Sequence, residues 1–257
     1  NPGRAAGGSG GGCVMGSKKL KAIAVRGRGA IKVVEPERFI AAVNKALVKI
    51  RAFPHIAGWR RGIIEFKYLP ESPVWDCLTS TRNGQDDYWP LEKRRKLVGM
   101  ESGVPKYKKR VVACFACPAG CMPLYEIKEG KYKGTKGIGY WINSAIYSTK
   151  LDLDNPEASV RYQTMLNQLG LDGDMCSTSL SWAFECFEKG LLTKDDADGL
   201  ELKWGDEKTI LKMQEKLAYR DGIGGFLADG VKESARKLGK GSDAFAIHMK
   251  GQDSVDP

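Results

Sequence analysis

No stretch of eighteen apolar residues occurs in the 257-residue chain, so the sequence offers no candidate membrane span. The opening segment, Asn1 to Gly12, is rich in Gly and Ala and has no apolar core of the kind that marks a secretory signal. No initiator Met is present, and the chain closes on Asp256-Pro257; together these predict an excerpt of a longer polypeptide. The G-x4-G-K-[ST] order of a phosphate-binding P-loop is missing. A dinucleotide fingerprint is missing too, because no strand and crossover helix flank the glycines correctly. There is no internal repeat. The net charge of +10, from 41 Lys plus Arg against 31 Asp plus Glu, would suit acidic partners or anionic cofactors. The two basic runs, Lys93–Lys96 and Lys106–Arg110, come with no nucleic-acid-binding motif and read as solvated surface.

What is present is a chain with enough apolar residues for a core (42%) and a clear helical half. Lys19–Arg26 alternates like a strand, and Ile31–Val34 extends it. Glu35-Pro36 opens a helix whose apolar positions are Phe39, Ile40, Val43, Ala46, Leu47 and Ile50. Residues 53–105 are aromatic and irregular. Leu124 to Tyr132 reads as a small hairpin turning at Gly130. From Asn155 onward, caps and stops predict four helices. The first runs from Asn155 to Gly170 and the second from about Ser177 to Gly190. The third starts at Asp206, and the fourth covers Phe226 to Gly239.

Seven cysteines occur: Cys13, Cys77, Cys114, Cys117, Cys121, Cys176 and Cys186. An odd count without a signal peptide argues for a reducing, cytoplasmic compartment and a metal site rather than a disulfide scaffold. Cys114-x2-Cys117-x3-Cys121 is the densest motif. Short spacers let one segment wrap a cluster, and Ala116, Ala119 and Gly120 let its backbone approach closely. An iron–sulfur cluster ranks first here. Zinc ranks second, because no second close pair of cysteines completes a structural zinc site. Three buried structural thiols rank third. Cys176 and Cys186 read as core thiols. The loop Arg4 to Lys18 can aim backbone N–H groups at an anion, with Arg4 and Lys18 adding charge; it reads equally as a linker.

Several ordered motifs carry a resemblance. Gly12-Cys13-Val14-Met15-Gly16-Ser17-Lys18-Lys19-Leu20-Lys21-Ala22-Ile23, the cysteine loop, Gly170-Leu171-Asp172, Glu185–Leu191, Gly199–Asp206 and Ala246-Ile247-His248-Met249-Lys250-Gly251 resemble the aldehyde:ferredoxin oxidoreductase family. That family also contains the tungsten subunit of class II benzoyl-coenzyme A reductase. The resemblance implies a mainly α fragment, a helical domain following the end of a β domain, inside a larger multidomain enzyme. Residues 1–34 would end the N-terminal β-rich pterin-binding domain. Residues 35–240 would form the helical cofactor-binding domain carrying the cluster loop, and 241–257 would begin the C-terminal domain. It also implies a tungsten or molybdenum bis-pterin centre and a 4Fe-4S cluster. Cys114, Cys117 and Cys121 would hold that cluster, its fourth ligand lying elsewhere. Arg4, Ala5, Ala6, Gly7 and Asp172 would contact pterin, and His248 would stand near the metal as a proton donor. The expected partners are ferredoxin or an electron-transfer subunit, in a homo- or hetero-oligomer, with an aldehyde or acyl-coenzyme A substrate and neither nucleic acid nor membrane.

Two departures from the family pattern stand out. Asn167 occupies the position where the pterin motif usually starts with Asp. Lys133–Trp141 replaces a Gly-Pro-Glu-Tyr-Glu segment and brings no carboxylate. Arg82–Trp89 and Gly139-Tyr140-Trp141 look closer to the benzoyl-coenzyme A reductase branch. Competing readings are local. Asp172 also suits a helix cap, and a histidine between Ile247 and Met249 also suits a packed strand. A zinc-structured, nucleic-acid-binding module is the alternative of another class.

Overall fold

The computed structural model describes residues 10–54, 56, 70–72, 80–139 and 141–253. Nine α-helices lie among them: α1 Gly11–Ser17, α2 Pro36–Ala52, α3 Leu91–Val98, α4 Trp141–Lys150, α5 Pro156–Leu169, α6 Gly173–Glu188, α7 Glu207–Tyr219, α8 Ile223–Leu227 and α9 Val231–Leu238. A three-stranded antiparallel sheet (β1 Lys108–Val112, β2 Met122–Glu126, β3 Lys136–Ile138) and a two-residue pair (β4 His248–Met249, β5 Gln252–Asp253) complete the fold. The mainly α expectation holds.

The helical half is organised around α6. Eleven consecutive residues, Cys176 to Cys186, are buried, so this helix has no solvent face. Such a helix normally has to be apolar all round. Here its small hydroxyls hydrogen-bond within the helix and to neighbouring elements, as Ser181 Oγ does to Asn83 Oδ1 at 3.1 Å. Ser177 Oγ donates to Asp174 O at 3.0 Å, and Ser181 Oγ donates to Thr178 O at 3.1 Å. Leu180, Trp182 and Phe184 then pack with Tyr162 and Leu166 of α5, Ile210 and Met213 of α7, Leu227 of α8 and Val231 of α9. Trp182 is fully buried, and its indole N–H donates to Ser242 O at 3.0 Å.

The cap signals were read correctly. Asn155 Oδ1 accepts from the N–H groups of Glu157 and Ala158, Pro156 follows it, and Gly170 ends α5 at φ 74°. Asp206 Oδ2 accepts from Thr209 N at 3.3 Å and opens α7. The second helix begins earlier than expected, at Gly173, because Asp172 caps it. The expected fourth helix is two, α8 and α9, because Gly230 adopts φ 88° between them.

Three differences arise where local pattern misleads. The Gly-rich segment contains α1, which has no buried residue. Lys19–Arg26 and Ile31–Val34 form no strand, since alternation becomes a strand only when a neighbour completes the ladder. The irregular segment contains α3, which its charge disguised: the inward face of Leu91–Val98 uses Arg94 beside Leu97 and Val98. Buried Arg94 donates from Nε to Trp89 O and lies 4.9 Å from the centre of the Tyr88 ring. α2 forms as expected, but Phe39 and Ile40 are exposed and no residue of the helix is buried.

β1 pairs with β2 (Val112 opposite Met122) and β2 with β3 (Leu124 opposite Ile138). The expected hairpin therefore closes later, at 136–138 rather than at Tyr132. Its sheet covers a second apolar cluster of Trp89, Leu97, Val104, Tyr125, Ile127, Ala145 and Val160, and Tyr132 packs against both clusters. β3 lies directly on α5. A Cβ added at Gly137 would meet Thr164 Oγ1 at 2.6 Å, and one at Gly139 would meet Gln163 Cδ at 2.4 Å. Thr164 is stiff, and its Oγ1 already donates to Val160 O at 2.8 Å. Gly137→Ala should therefore destabilise the intact protein by about 1–3 kcal/mol in denaturant titration. Adding Thr164→Ala should recover part of that loss, a coupling that two independent sites would not show.

Candidate functional site

The connection between β1 and β2, residues 113–121, carries the cysteine motif. The loop turns sharply twice, once in each spacer. Ala116 has φ 54° just before Cys117, and Gly120 has φ 62° just before Cys121. Cys117 N–H donates to Cys114 O at 3.1 Å, closing the first turn. Cys114 and Cys117 are exposed and Cys121 is half-buried. None of the six described cysteines is in a disulfide. Three thiols on one doubly turned loop suit a thiophilic metal or an iron–sulfur cluster in kind. In number they fall one short of four. No three Cys, His, Asp or Glu side chains among the described residues are grouped to hold a metal ion. The three thiols share a loop but are not gathered into a metal-holding group.

A separate cavity of about 520 Å³ lies at the N-terminal end of α6. Four segments distant in sequence meet there: Gly10 and Cys13, Gly170-Leu171-Asp172, Leu227–Gly230, and Gly251-Gln252. Asp172 is placed by its capping role: Oδ1 accepts from Met175 N–H at 3.1 Å. Cys176 lines the same cavity rather than only the core, and its Sγ accepts from the Tyr162 hydroxyl at 3.5 Å. Burial, followed by the Cys176 neighbour, holds that phenol well above its ordinary pKa. Cys186 does read as a core thiol; burial, then Glu185, pushes it up to about 12.

His248 is exposed on β4, beside the cavity wall in sequence. Its Nδ1 accepts from Gly251 N–H at 3.3 Å. In the neutral ring that bond leaves the proton on Nε2. Arg4, Ala5, Ala6 and Gly7 lie outside the described residues, as do His55, Cys77 and Tyr140. Asp172 and the segment next to His248 thus come to one cavity, whereas none of Cys114, Cys117 and Cys121 lines it.

Asn167 also has a structural account. Its Nδ2 donates to Ile138 O at 2.9 Å, tying α5 to β3. An ionised aspartate has no donor for that carbonyl. The glycines of Gly137-Ile138-Gly139 are required by the same contact.

Sequence reasoning missed a polar hub around Asp152, which is 6% exposed with φ 55°. Its carboxylate accepts from Arg82 Nη2 (2.7 Å), Lys93 Nζ (2.6 Å) and Trp89 Nε1 (2.8 Å). Next door, Asn83 Nδ2 donates to buried Glu185 at 2.6 Å and to Phe245 O at 3.0 Å. The Lys93–Lys96 run is a solvated face only in part, with Arg95 and Lys96 exposed. Lys93 pairs with Asp152, Arg95 with Glu71 and Lys96 with Asp154, and Arg94 is buried. Consecutive left-handed residues at Arg82 and Asn83 were the available signal, carried by Asn83-Gly84. Missed cavity-lining residues include Met175, Ser179 and Asp229. Only the Asp229-Gly230 break could have pointed to them.

Burial would raise the Asp152 pKa, but the hydrogen bonds from Lys93, Trp89 and Arg82 outweigh it and hold the carboxyl below its ordinary value. A depressed folded-state pKa contributes stability above the unfolded value of about 3.9, lost as pH falls through the folded one. Asp152→Asn should cost about 1–3 kcal/mol at neutral pH, and the gap to the unsubstituted protein should narrow below about pH 4 in urea titrations.

The family model described as aldehyde ferredoxin oxidoreductase, domains 2 and 3, matches residues 76–255. The aliphatic sulfonate oxidoreductase, WOR-like subunit, of Pyrococcus furiosus is 31% identical over 256 residues, covering 96% of this chain and 39% of that protein. The tungsten-containing aldehyde ferredoxin oxidoreductase of Thermococcus kodakarensis is 30% identical over 261 residues, covering 99% of this chain and 41% of that protein. The chain thus spans about two-fifths of these relatives' length. Among solved structures, an active-site complex of benzoyl-coenzyme A reductase with 1,5-dienoyl-CoA shares the fold. Its TM-score is 0.77 at 24% identity, covering 94% of this chain and 37% of that one.

Proposed function

The chain belongs to the aldehyde ferredoxin oxidoreductase family, and we propose that the protein carrying it is a tungsten- or molybdenum-pterin oxidoreductase with a 4Fe-4S cluster on the Cys114–Cys121 loop. The observation that carries this reading is the cavity at the start of α6. It gathers the Gly-rich segment, Gly170-Leu171-Asp172 and Gly251, three stretches that share nothing locally but the family's motifs. Its volume of about 520 Å³ falls in the range of ordinary cofactor and ligand sites.

When bound, the metal-pterin group supplies two-electron chemistry, and the cluster moves electrons singly. The chain's own residues have simpler tasks. Asp172, whose Oδ1 accepts from Met175 N–H, would help hold the pterin through its carboxylate. Gly10 and Gly170 would leave room for a flat ring to approach the backbone. Cys114, Cys117 and Cys121 supply three thiolates, and the fourth ligand comes from outside the described residues. His248, which accepts from the cavity-lining Gly251 through Nδ1, would serve as the proton donor through Nε2–H. Arg4, Ala5, Ala6 and Gly7 are proposed to extend the pterin site. The substrate is an aldehyde, oxo compound or acyl-coenzyme A, and the acceptor is ferredoxin or an electron-transfer subunit in a cytoplasmic assembly.

The test is metal analysis of the intact protein purified without oxygen. About four iron atoms per chain, together with tungsten or molybdenum, are expected, with broad visible absorbance. Cys117→Ser should bleach that absorbance while tungsten or molybdenum is retained. Zinc without iron would instead support a structural zinc site and reject the reading.

The residues after β2 refine the substrate. A positioned carboxylate that helps oxygen attack an aldehyde contributes about 10²–10⁴-fold in rate. None lies between Gly134 and Trp141, and the glycines there serve the contact with α5. Lys136 is exposed, 3.9 Å from Glu126, and available to an anionic substrate. With acetaldehyde, benzaldehyde or crotonaldehyde and viologen as acceptor, turnover should fall far below about 10 s⁻¹. Turnover near that figure on any of them would show this reading to be wrong.

A further inference from the structure

We propose that Asn83 is a positioning residue for the cofactor cavity: through Phe245 it sets where residues 246–252 stand against the start of α6. That stretch carries His248 and the cavity-lining Gly251 and Gln252. This rests on the reading of the cavity as the pterin site and adds what holds that wall in place.

Asn83 is buried, and both N–H bonds and the carbonyl oxygen of its side chain are engaged. One N–H of Nδ2 goes to Glu185 Oε2 at 2.6 Å and the other to Phe245 O at 3.0 Å. Oδ1 accepts from Ser181 Oγ at 3.1 Å. Ser181 and Glu185 stand one turn apart on α6, and Phe245 ends the short 3-10 turn Ser242–Phe245. The amide thus ties the start of the wall segment to the central helix. Serving Glu185 does not by itself account for this arrangement, because Lys189 Nζ lies 3.4 Å from Glu185 Oε1 and supplies the opposite charge. The bond to Phe245 O is the part that Glu185 does not need.

Only Ala246 and Ile247 separate Phe245 from His248. The Asn83-Gly84 turn meets this stretch twice. Phe245 O takes the Asn83 amide, and Ile247 Cδ1 lies 3.1 Å from where a Cβ on Gly84 would stand. Lys189 Nζ lies 5.4 Å from the centre of the Phe245 ring. Beyond it, β4 and β5 pair His248 with Asp253 and Met249 with Gln252, so a shift at Phe245 is carried through the pair to the cavity-lining residues. β5 in turn packs against α6 and α9. Asn83, Ser181 and Glu185 are all buried, so further polypeptide over the surface would leave these bonds in place.

The experiment uses the intact protein purified without oxygen. Three quantities are measured: tungsten and molybdenum content after dialysis, the thermal unfolding midpoint, and peptide-resolved hydrogen exchange. Asn83 holds φ 60°, which Asp also tolerates. Asn83→Asp sets a carboxylate against Glu185 and should lower the midpoint. Adding Glu185→Gln restores a donor–acceptor pair on α6 but leaves Phe245 O without a donor, since an ionised aspartate has none. The double variant should therefore recover the midpoint, while exchange at 246–252 stays about three- to tenfold faster than in the unsubstituted protein and exchange in α6 is unchanged. Retained tungsten or molybdenum should fall by about half or more. Exchange and metal retention that return to the unsubstituted values along with the midpoint would overturn the inference and leave Asn83 a partner of Glu185 alone. Faster exchange with metal retained in full would overturn it too, because the segment would then contribute nothing to the cofactor's hold. Should the double variant fail to fold, Gly84→Ala takes its part, pressing on Ile247 with the Asn83–Glu185 pair in place; unchanged exchange at 246–252 would then overturn the inference. Absence of both metals from the unsubstituted protein would overturn the pterin reading and this inference together, whereas the other outcomes, with metal present, bear on Asn83 alone.

Discussion

The burial of α6 on all sides is the constraint from which the rest of the structure follows. A helix with no solvent face must satisfy every polar group from within or from its neighbours. Its interior hydroxyls do both, and its two ends depend on the second. At the N-terminal end Asp172 caps the helix and thereby becomes a wall of the cavity. Towards the C-terminal end Glu185 is buried too deeply to meet bulk water, and Asn83 and Lys189 serve it instead. The functional reading and the stability of the fold therefore share residues: the aspartate expected to meet pterin is the one that starts the central helix.

How much of this was legible depended on whether the signal was local. Asn155-Pro156, Gly170, Gly190 and Asp206 mark helix ends by chemistry contained within a few residues, and those boundaries could be read directly. α3 could not be read, because its inward face uses a buried arginine whose guanidinium lies over Tyr88, and periodicity counts such a residue as outward. The strand expected at Lys19–Arg26 failed for the opposite reason: alternation is necessary but a ladder partner is what makes a strand. The spacing of the cysteines singled out the loop, and the resemblance named Asp172 and His248 as candidates, of which Asp172 lines the cavity. The cavity itself was not legible, because Leu227–Gly230 and Gln252 reach it only through tertiary packing. Asp152 was invisible for the same reason.

The two departures from the family pattern also change meaning once packing is known. Asn167 and the glycines of Gly137–Gly139 looked like separate losses of function. They are parts of one contact, in which β3 lies flat on α5 and is held by the Asn167 amide. A change in one of them constrains the others, so they bear on substrate chemistry together or not at all.

The turn at Arg82–Gly84 has a further consequence, for the order in which the chain assembles. Its partners are remote in sequence: Asp152 is 70 residues away, Glu185 102 and Phe245 162. Contacts of such separation must overcome loop-closure entropy before they contribute anything, and they form late unless a scaffold already holds both ends near. The helices from α5 to α9 find their partners over much shorter spans. The turn therefore acts as a latch on a helical core that precedes it, and early in biosynthesis the segment around it waits, unpaired, for residues that have not yet been made.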